Sequence, residues 1–246
     1  MKLNAFKSTA VLALAAIITT QSAYAAIALD RTRVVFDGSS TSLTLSITNQ
    51  NKTLPYLAQS WVEDAQGKKI ESPLMALPPL QRIEPGAKSQ VKLQVTGSPI
   101  LAQDKETLFY FNVREIPPKS AKANTLQIAL QTRIKLFYRP ESLALNSGDI
   151  PQKALTMTRS GDHYVVNNPT GYYVTLVHAG ASEKSEDVTG FKADMVPPKG
   201  SITLSGSAAA LGSHPVLTYI NDFGGRPKLV FSCNGSSCVV SDTKIG

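Results

Sequence analysis

The chain has 246 residues, of which 42% are hydrophobic, 17% charged and 7% aromatic; that composition supports folded cores and excludes a disordered acidic chain or a coiled coil. Formal net charge is +7, but the basic residues are scattered, whereas a nucleic-acid binder needs a concentrated basic stripe. The length predicts one or two domains.

Residues 1–25 read as an address. Lys2 and Lys7 make a positive start, an apolar run follows from Ala10 to Ile18, and Ala23-Tyr24-Ala25 supplies a small-residue cleavage site. The apolar run is too short to anchor in a bilayer. The expected mature chain begins at Ala26, is exported, is not inserted into a membrane, and has lost two lysines.

From there the pattern is β. Leu43, Leu45 and Ile47 alternate with Thr44, Ser46 and Thr48, and Val91, Leu93 and Val95 alternate with Lys92 and Gln94, as half-buried strands do. Trp61, the single tryptophan, sits in the apolar stretch Tyr56 to Val62 and is expected in a core. Leu108 to Val113 is almost wholly apolar, the mark of a strand covered on both faces. A long strand is predicted from Thr125 to Arg139. Leu126, Ile128, Leu130, Thr132, Ile134 and Leu136 take one face; Gln127, Ala129, Gln131, Arg133, Lys135 and Phe137 take the other. Asp37-Gly38, Gln66-Gly67, Glu84-Pro85-Gly86 and Ile116-Pro117-Pro118 separate these runs as turns. After Pro140 the chain turns polar, and a second series follows at His163–Val166, Tyr172–Val177, Ile202–Leu204, Val216–Ile220 and Leu229–Cys233. Strands at this spacing without helical periodicity indicate antiparallel sandwiches. The division expected is residues 26–143 and residues 144–246.

The two cysteines, Cys233 and Cys238, flank the turn sequence Asn-Gly-Ser-Ser. In an exported protein they are expected to form a hairpin-closing disulfide. No Cys or His joins them, so no metal site is expected. There is no G-x-S-x-G, phosphate loop or G-x-G-x-x-G, and no enzyme activity or cofactor is expected. The unusual feature is the long strand. Leu126, Ile128 and Leu130 are either core residues or apolar side chains that an edge strand offers to a partner. Edges are normally protected against such exposure, so the second alternative means a protein specialised for strand addition.

Several stretches resemble the PapD-like periplasmic pilus chaperones. These are Leu29 to Gly38 (LDRTRVVFDG), Leu54 to Gln59 (LPYLAQ), Pro78-Pro79, Arg82 to Gly86 (RIEPG), Leu108 to Pro118 (LFYFNVREIPP), Leu126 to Pro140, and Tyr219 to Pro227 (YINDFGGRP). The resemblance covers nearly the whole mature chain. It implies two immunoglobulin-like β-sandwich domains arranged as an L, with a cleft between them. It also implies a periplasmic chaperone that folds and caps pilus subunits by donor-strand complementation and hands them to an outer-membrane usher. By the same resemblance Leu126, Ile128 and Leu130 are the lending residues, and Arg33 and Lys135 anchor the subunit's C-terminal carboxylate. Glu106, Arg139 and Asp222 form an ion-pair network at the cleft, for which a structural role is expected. The short connection at about Lys119 to Ala123 resembles the short-loop subclass, which serves rod-like pili. Self-association without a subunit is left open. An exported adhesin or pilus component is the alternative; two full domains weigh against it.

Strict alternation puts Lys135 on the face opposite Leu126, Ile128 and Leu130. A bulge, twist or bend between them would reconcile the two roles.

Overall fold

The computed structural model describes residues 25–97, 101–122 and 124–246. The expected export signal lies outside these, apart from Ala25. Ten strands come first: β1 (Ile27–Leu29), β2 (Arg33–Asp37), β3 (Ser42–Asn49), β4 (Tyr56–Glu63), β5 (Lys69–Ile70), β6 (Leu74–Leu77), β7 (Leu80–Ile83), β8 (Lys88–Val95), β9 (Thr107–Ile116) and β10 (Gln131–Arg139). After the joining segment come β11 (Thr156–Ser160), β12 (His163–Asn168), β13 (Val174–Gly180), β14 (Asp194–Val196), β15 (Gly200–Thr203), the one-turn helix α1 (Ala208–Leu211), β16 (Val216–Ile220), β17 (Lys228–Asn234) and β18 (Ser237–Lys244).

The first ten strands make two facing sheets, β1-β3-β8-β6 and β2-β10-β9-β4-β5, with β7 on β4. Leu45, Ile47, Val91 and Leu93 from one sheet and Ile134 and Leu136 from the other, read from the sequence as alternating, meet between them together with Val34, Phe36, Ala58, Val62 and Phe111. The later strands run as one ladder, β14-β13-β16-β17-β18-β11-β12-β15. It closes over a second core that includes Met157, Val166, Leu176, Leu217, Leu229 and Phe231. These are two immunoglobulin-like sandwiches in a nearly all-β chain. A fully buried leucine- or phenylalanine-sized side chain contributes roughly 1.5–3 kcal/mol, and each core holds more than a dozen buried apolar side chains. Each core is therefore large enough to hold its domain together.

Cys233 and Cys238 are disulfide-bonded across the β17–β18 turn, with Cα atoms 3.9 Å apart. Trp61 corrects the reading from sequence. It is only partly buried and lies on the outer face of β4, because Ala58, Ser60 and Val62 take the inner positions. There its indole N–H donates to Glu63 Oε1 at 2.8 Å, and the Arg114 guanidinium lies 5.3 Å from the ring centre.

Candidate functional site

The site is built where β2 and β10 run side by side. They pair in parallel, with Arg33 opposite Lys135 and Arg139 opposite Asp37. Partners on adjacent strands stand about 4.8 Å apart and point to the same face, so two cations more than a hundred residues apart in sequence are brought together. Their neighbours Val34, Ile134 and Leu136 point the other way, into the first core. The Arg33–Lys135 face is turned toward the second domain. Arg33 Nη1 donates to the Ile220 carbonyl at 3.0 Å, and Phe137 packs on Tyr173 with ring centres 5.5 Å apart.

Arg33 is only 8% exposed, and its buried Nε has no hydrogen-bond partner among the described residues. Burial pulls its pKa down, and the fields of Asp222 and Glu106 only partly oppose this. Burial also lowers the pKa of Lys135; repulsion from Arg33 adds to the effect, and Asp194 works against it. The Lys135 ammonium enters no ion pair or hydrogen bond among the described residues. Two cations, one buried and one partly buried, that disfavour each other's charge are a natural seat for one anion. A unit-charge pair at 4 Å interacts by about 4 kcal/mol at an effective dielectric near 20, against about 1 kcal/mol in bulk water, before desolvation is subtracted.

Behind this pair, the ion network forms a brace between the domains. Arg139 Nε donates to Glu106 Oε1 at 2.8 Å. Its two terminal nitrogens donate to Asp222 Oδ2 at 2.7 Å and Oδ1 at 3.0 Å. Glu106 is 3% exposed, and its Oε2 accepts the Tyr173 N–H at 2.8 Å. Burial raises the Glu106 pKa, an effect that Arg139 and the Tyr173 N–H restrain. The Tyr173 contact was not legible in the sequence, since a backbone donor leaves no mark on residue type. Gly171 lets this loop come close: a Cβ there would stand 2.9 Å from the Asp104 carbonyl oxygen and 2.8 Å from Leu143 Cδ1. The Gly171 carbonyl in turn accepts the Glu106 N–H at 2.8 Å.

The long strand differs from the reading in one respect. Regular pairing begins at Gln131, not Thr125. Among the described residues no strand lies beside residues 125–130; they are tied by the Glu115 N–H donating to the Leu130 carbonyl at 2.9 Å, by the Gln127 side chain donating to the Pro118 carbonyl at 2.5 Å, and by the Thr125 hydroxyl, which donates to the Lys122 carbonyl at 3.0 Å and accepts from Ser120 Oγ at 3.2 Å. On this stretch Leu126 is 85% exposed, Ile128 64% and Leu130 40%, so they are not core residues of this chain. The β10–β9 register runs from Gln131–Arg114 to Tyr138–Thr107 without a shift. No bulge within β10 therefore moves Lys135 to the other face. Its even-numbered residues continue the line of Leu126, Ile128 and Leu130 into the first core, while Lys135 faces the cleft.

The chain is thus a two-sandwich protein with an exposed apolar stretch leading to a basic cleft. Residues 26–144 match the family model for the pili and flagellar-assembly chaperone PapD N-terminal domain, and residues 151–231 match that for the pili assembly chaperone PapD C-terminal domain. The chain is 52% identical over 222 residues to chaperone protein PapD of Escherichia coli, covering 89% of this chain and 92% of that one. It is 43% identical over 235 residues to chaperone protein PmfD of Proteus mirabilis, covering 94% and 91%. Among solved structures it is similar to the periplasmic chaperone SfaE, with TM-score 0.66 and 32% identity over 83% of this chain and 98% of that one. It is also similar to a chain of the Salmonella enterica SafA pilin–SafB chaperone complex, with TM-score 0.72 and 27% identity over 86% and 98%. The chain belongs to the PapD-like family of pilus chaperones.

Proposed function

We propose that this protein works in the periplasm, where it captures pilus subunits, completes their fold with residues 126–130 and passes them to an outer-membrane usher. The observation that carries this is the bare stretch at Leu126, Ile128 and Leu130, three exposed apolar side chains on a backbone that, among the described residues, has no strand on either side. Such an edge invites pairing, and lending it to an incomplete sandwich satisfies both partners. Residues 1–25 direct export, and the working units are residues 26–143 and 144–246. No catalysis is involved. Without a subunit, the same edge would favour self-association. The short connection at residues 119–123 fits the short-loop chaperones.

The register gives the anchor a geometric reason. The edge of β10 that β2 occupies is covered only from Lys135 onward; before it, that edge is open. A subunit strand laid there runs into the start of β2 and must end near Arg33. A chain end held by Arg33 and Lys135 fixes the register, and a one-residue slip would turn every side chain over. The brace of Glu106, Arg139 and Asp222 supports the cleft. The test compares a peptide copying a subunit's C-terminal strand as free acid and as amide. Wild type should prefer the acid, and the Arg33→Ala, Lys135→Ala double variant should not. Equal binding of the two peptides by wild type would overturn the anchor.

A further inference from the structure

Phe223 is unexplained by this scheme. It is 97% exposed, although an exported chaperone has every reason not to leave a phenyl group in water. Its position is fixed rather than incidental. The Asn221 side-chain oxygen accepts the N–H groups of Phe223 at 3.1 Å and Gly225 at 2.8 Å. The Asn221 N–H reaches the Gly225 carbonyl at 3.0 Å, and the Gly224 N–H reaches the Asn221 carbonyl at 3.1 Å. Gly224 has φ +86°, and a Cβ there would meet Thr32 Oγ1 at 3.1 Å. The second domain's turn is therefore closed upon itself and seated against the first domain at the residue preceding Arg33. Phe223 and Asp222, together with Arg31, Thr32, Arg33 and Val35, border a recess of about 420 Å³.

The occupant follows from the strand geometry. A subunit strand on the open β10 edge ends where β2 begins, at Arg33. Its terminal residues then lie against Thr32 and the turn seated there. Side chains alternate between faces along a strand, so one of the last two residues faces outward, to the side on which Arg33 and Phe223 line the recess. We propose that Phe223 is a specificity-determining contact that packs on the outward side chain of the subunit's last two residues and favours an aromatic or large aliphatic one there. The second domain thereby reads the identity of the chain end whose carboxylate the first domain holds. This rests on the carboxylate-anchor reading above.

The probe is a synthetic free-acid peptide copying a subunit's C-terminal strand, made with aromatic residues or with alanines at its last two positions, and titrated against the mature chaperone. Phe223→Ala should weaken the aromatic-ended peptide about tenfold, the affinity carried by roughly half of a buried phenyl group, and should leave the alanine-ended peptide within about twofold. Phe223→Tyr should restore the difference. Because the side chain is exposed, thermal unfolding of Phe223→Ala should match wild type. If the substitution changes neither peptide, or both equally, while wild type still prefers acid over amide, the Phe223 contact is wrong and the anchor stands. If wild type shows no acid preference, the anchor fails and this inference falls with it.

Discussion

Replacing Arg139 with alanine tests whether the interdomain brace is a structural device. Glu106 is buried against Arg139, with the Tyr173 N–H as its other close donor. Removing one partner of a buried pair typically costs about 3–5 kcal/mol. The surviving Tyr173 hydrogen bond points to the lower end, about 3 kcal/mol. The Asp222 carboxylate is 35% exposed, so its loss adds no more than about 1 kcal/mol. Urea unfolding should show a loss of about 3–4 kcal/mol near neutral pH, and melting should fall by about 10 °C if the two domains unfold together. The loss should also depend on pH. The Glu106 pKa already lies above its ordinary 4.5 because of burial, and without Arg139 the same burial acts with less opposition. Between 4.5 and that raised value, the folded state keeps a proton the unfolded state has released, so stability falls as pH rises. That window is wider in the variant. The penalty should therefore be largest near neutral pH and shrink as pH falls to 4.5 and below. A penalty under about 1 kcal/mol, or one unchanged from pH 7.5 to 4.5, would refute the reasoning.

Three further outcomes are expected. Cys233→Ser opens a short disulfide loop and should cost about 2 kcal/mol on chain-entropy grounds, read by chemical unfolding of the second domain, with subunit binding unchanged. Binding of the free-acid peptide should weaken as pH rises through the depressed pKa of Lys135, below its ordinary 10.5, since the neutral amine no longer attracts the carboxylate; titration calorimetry should find this slope flattened in Lys135→Arg. Val34→Ala removes a fully buried side chain from β2, and should destabilise the first domain by about 1–3 kcal/mol while leaving acid preference intact.

Much of this was legible in the sequence because strands write their burial in alternation. Leu45, Ile47, Val91 and Leu93 fell where period two put them. The stretch at residues 126–130 was harder. Leu126, Ile128 and Leu130 alternate as core residues do, and only their exposure, with no strand beside them among the described residues, shows that they are not core. Arg33 and Lys135 carry no local signal either, since what joins them is a parallel pairing, within one sheet, of two strands far apart in sequence. Trp61 was misread because the apolar character of its segment belongs to Ala58 and Val62 on the other face. Phe223 had a faint signal: an aromatic residue inside the turn sequence Asn-Asp-Phe-Gly-Gly cannot follow its neighbours into a core.

The central claim is that residues 126–130 belong to a partner's core and not to this one. The most direct measurement expresses Ile128→Glu with a pilus subunit, purifies the chaperone, and measures both bound subunit and the stability of the free protein. A charge at this 64% exposed position should leave the free chaperone's unfolding curve within about 0.5 kcal/mol of wild type and abolish subunit recovery. Recovery of normal amounts of subunit, or an unfolded free chaperone, would contradict it.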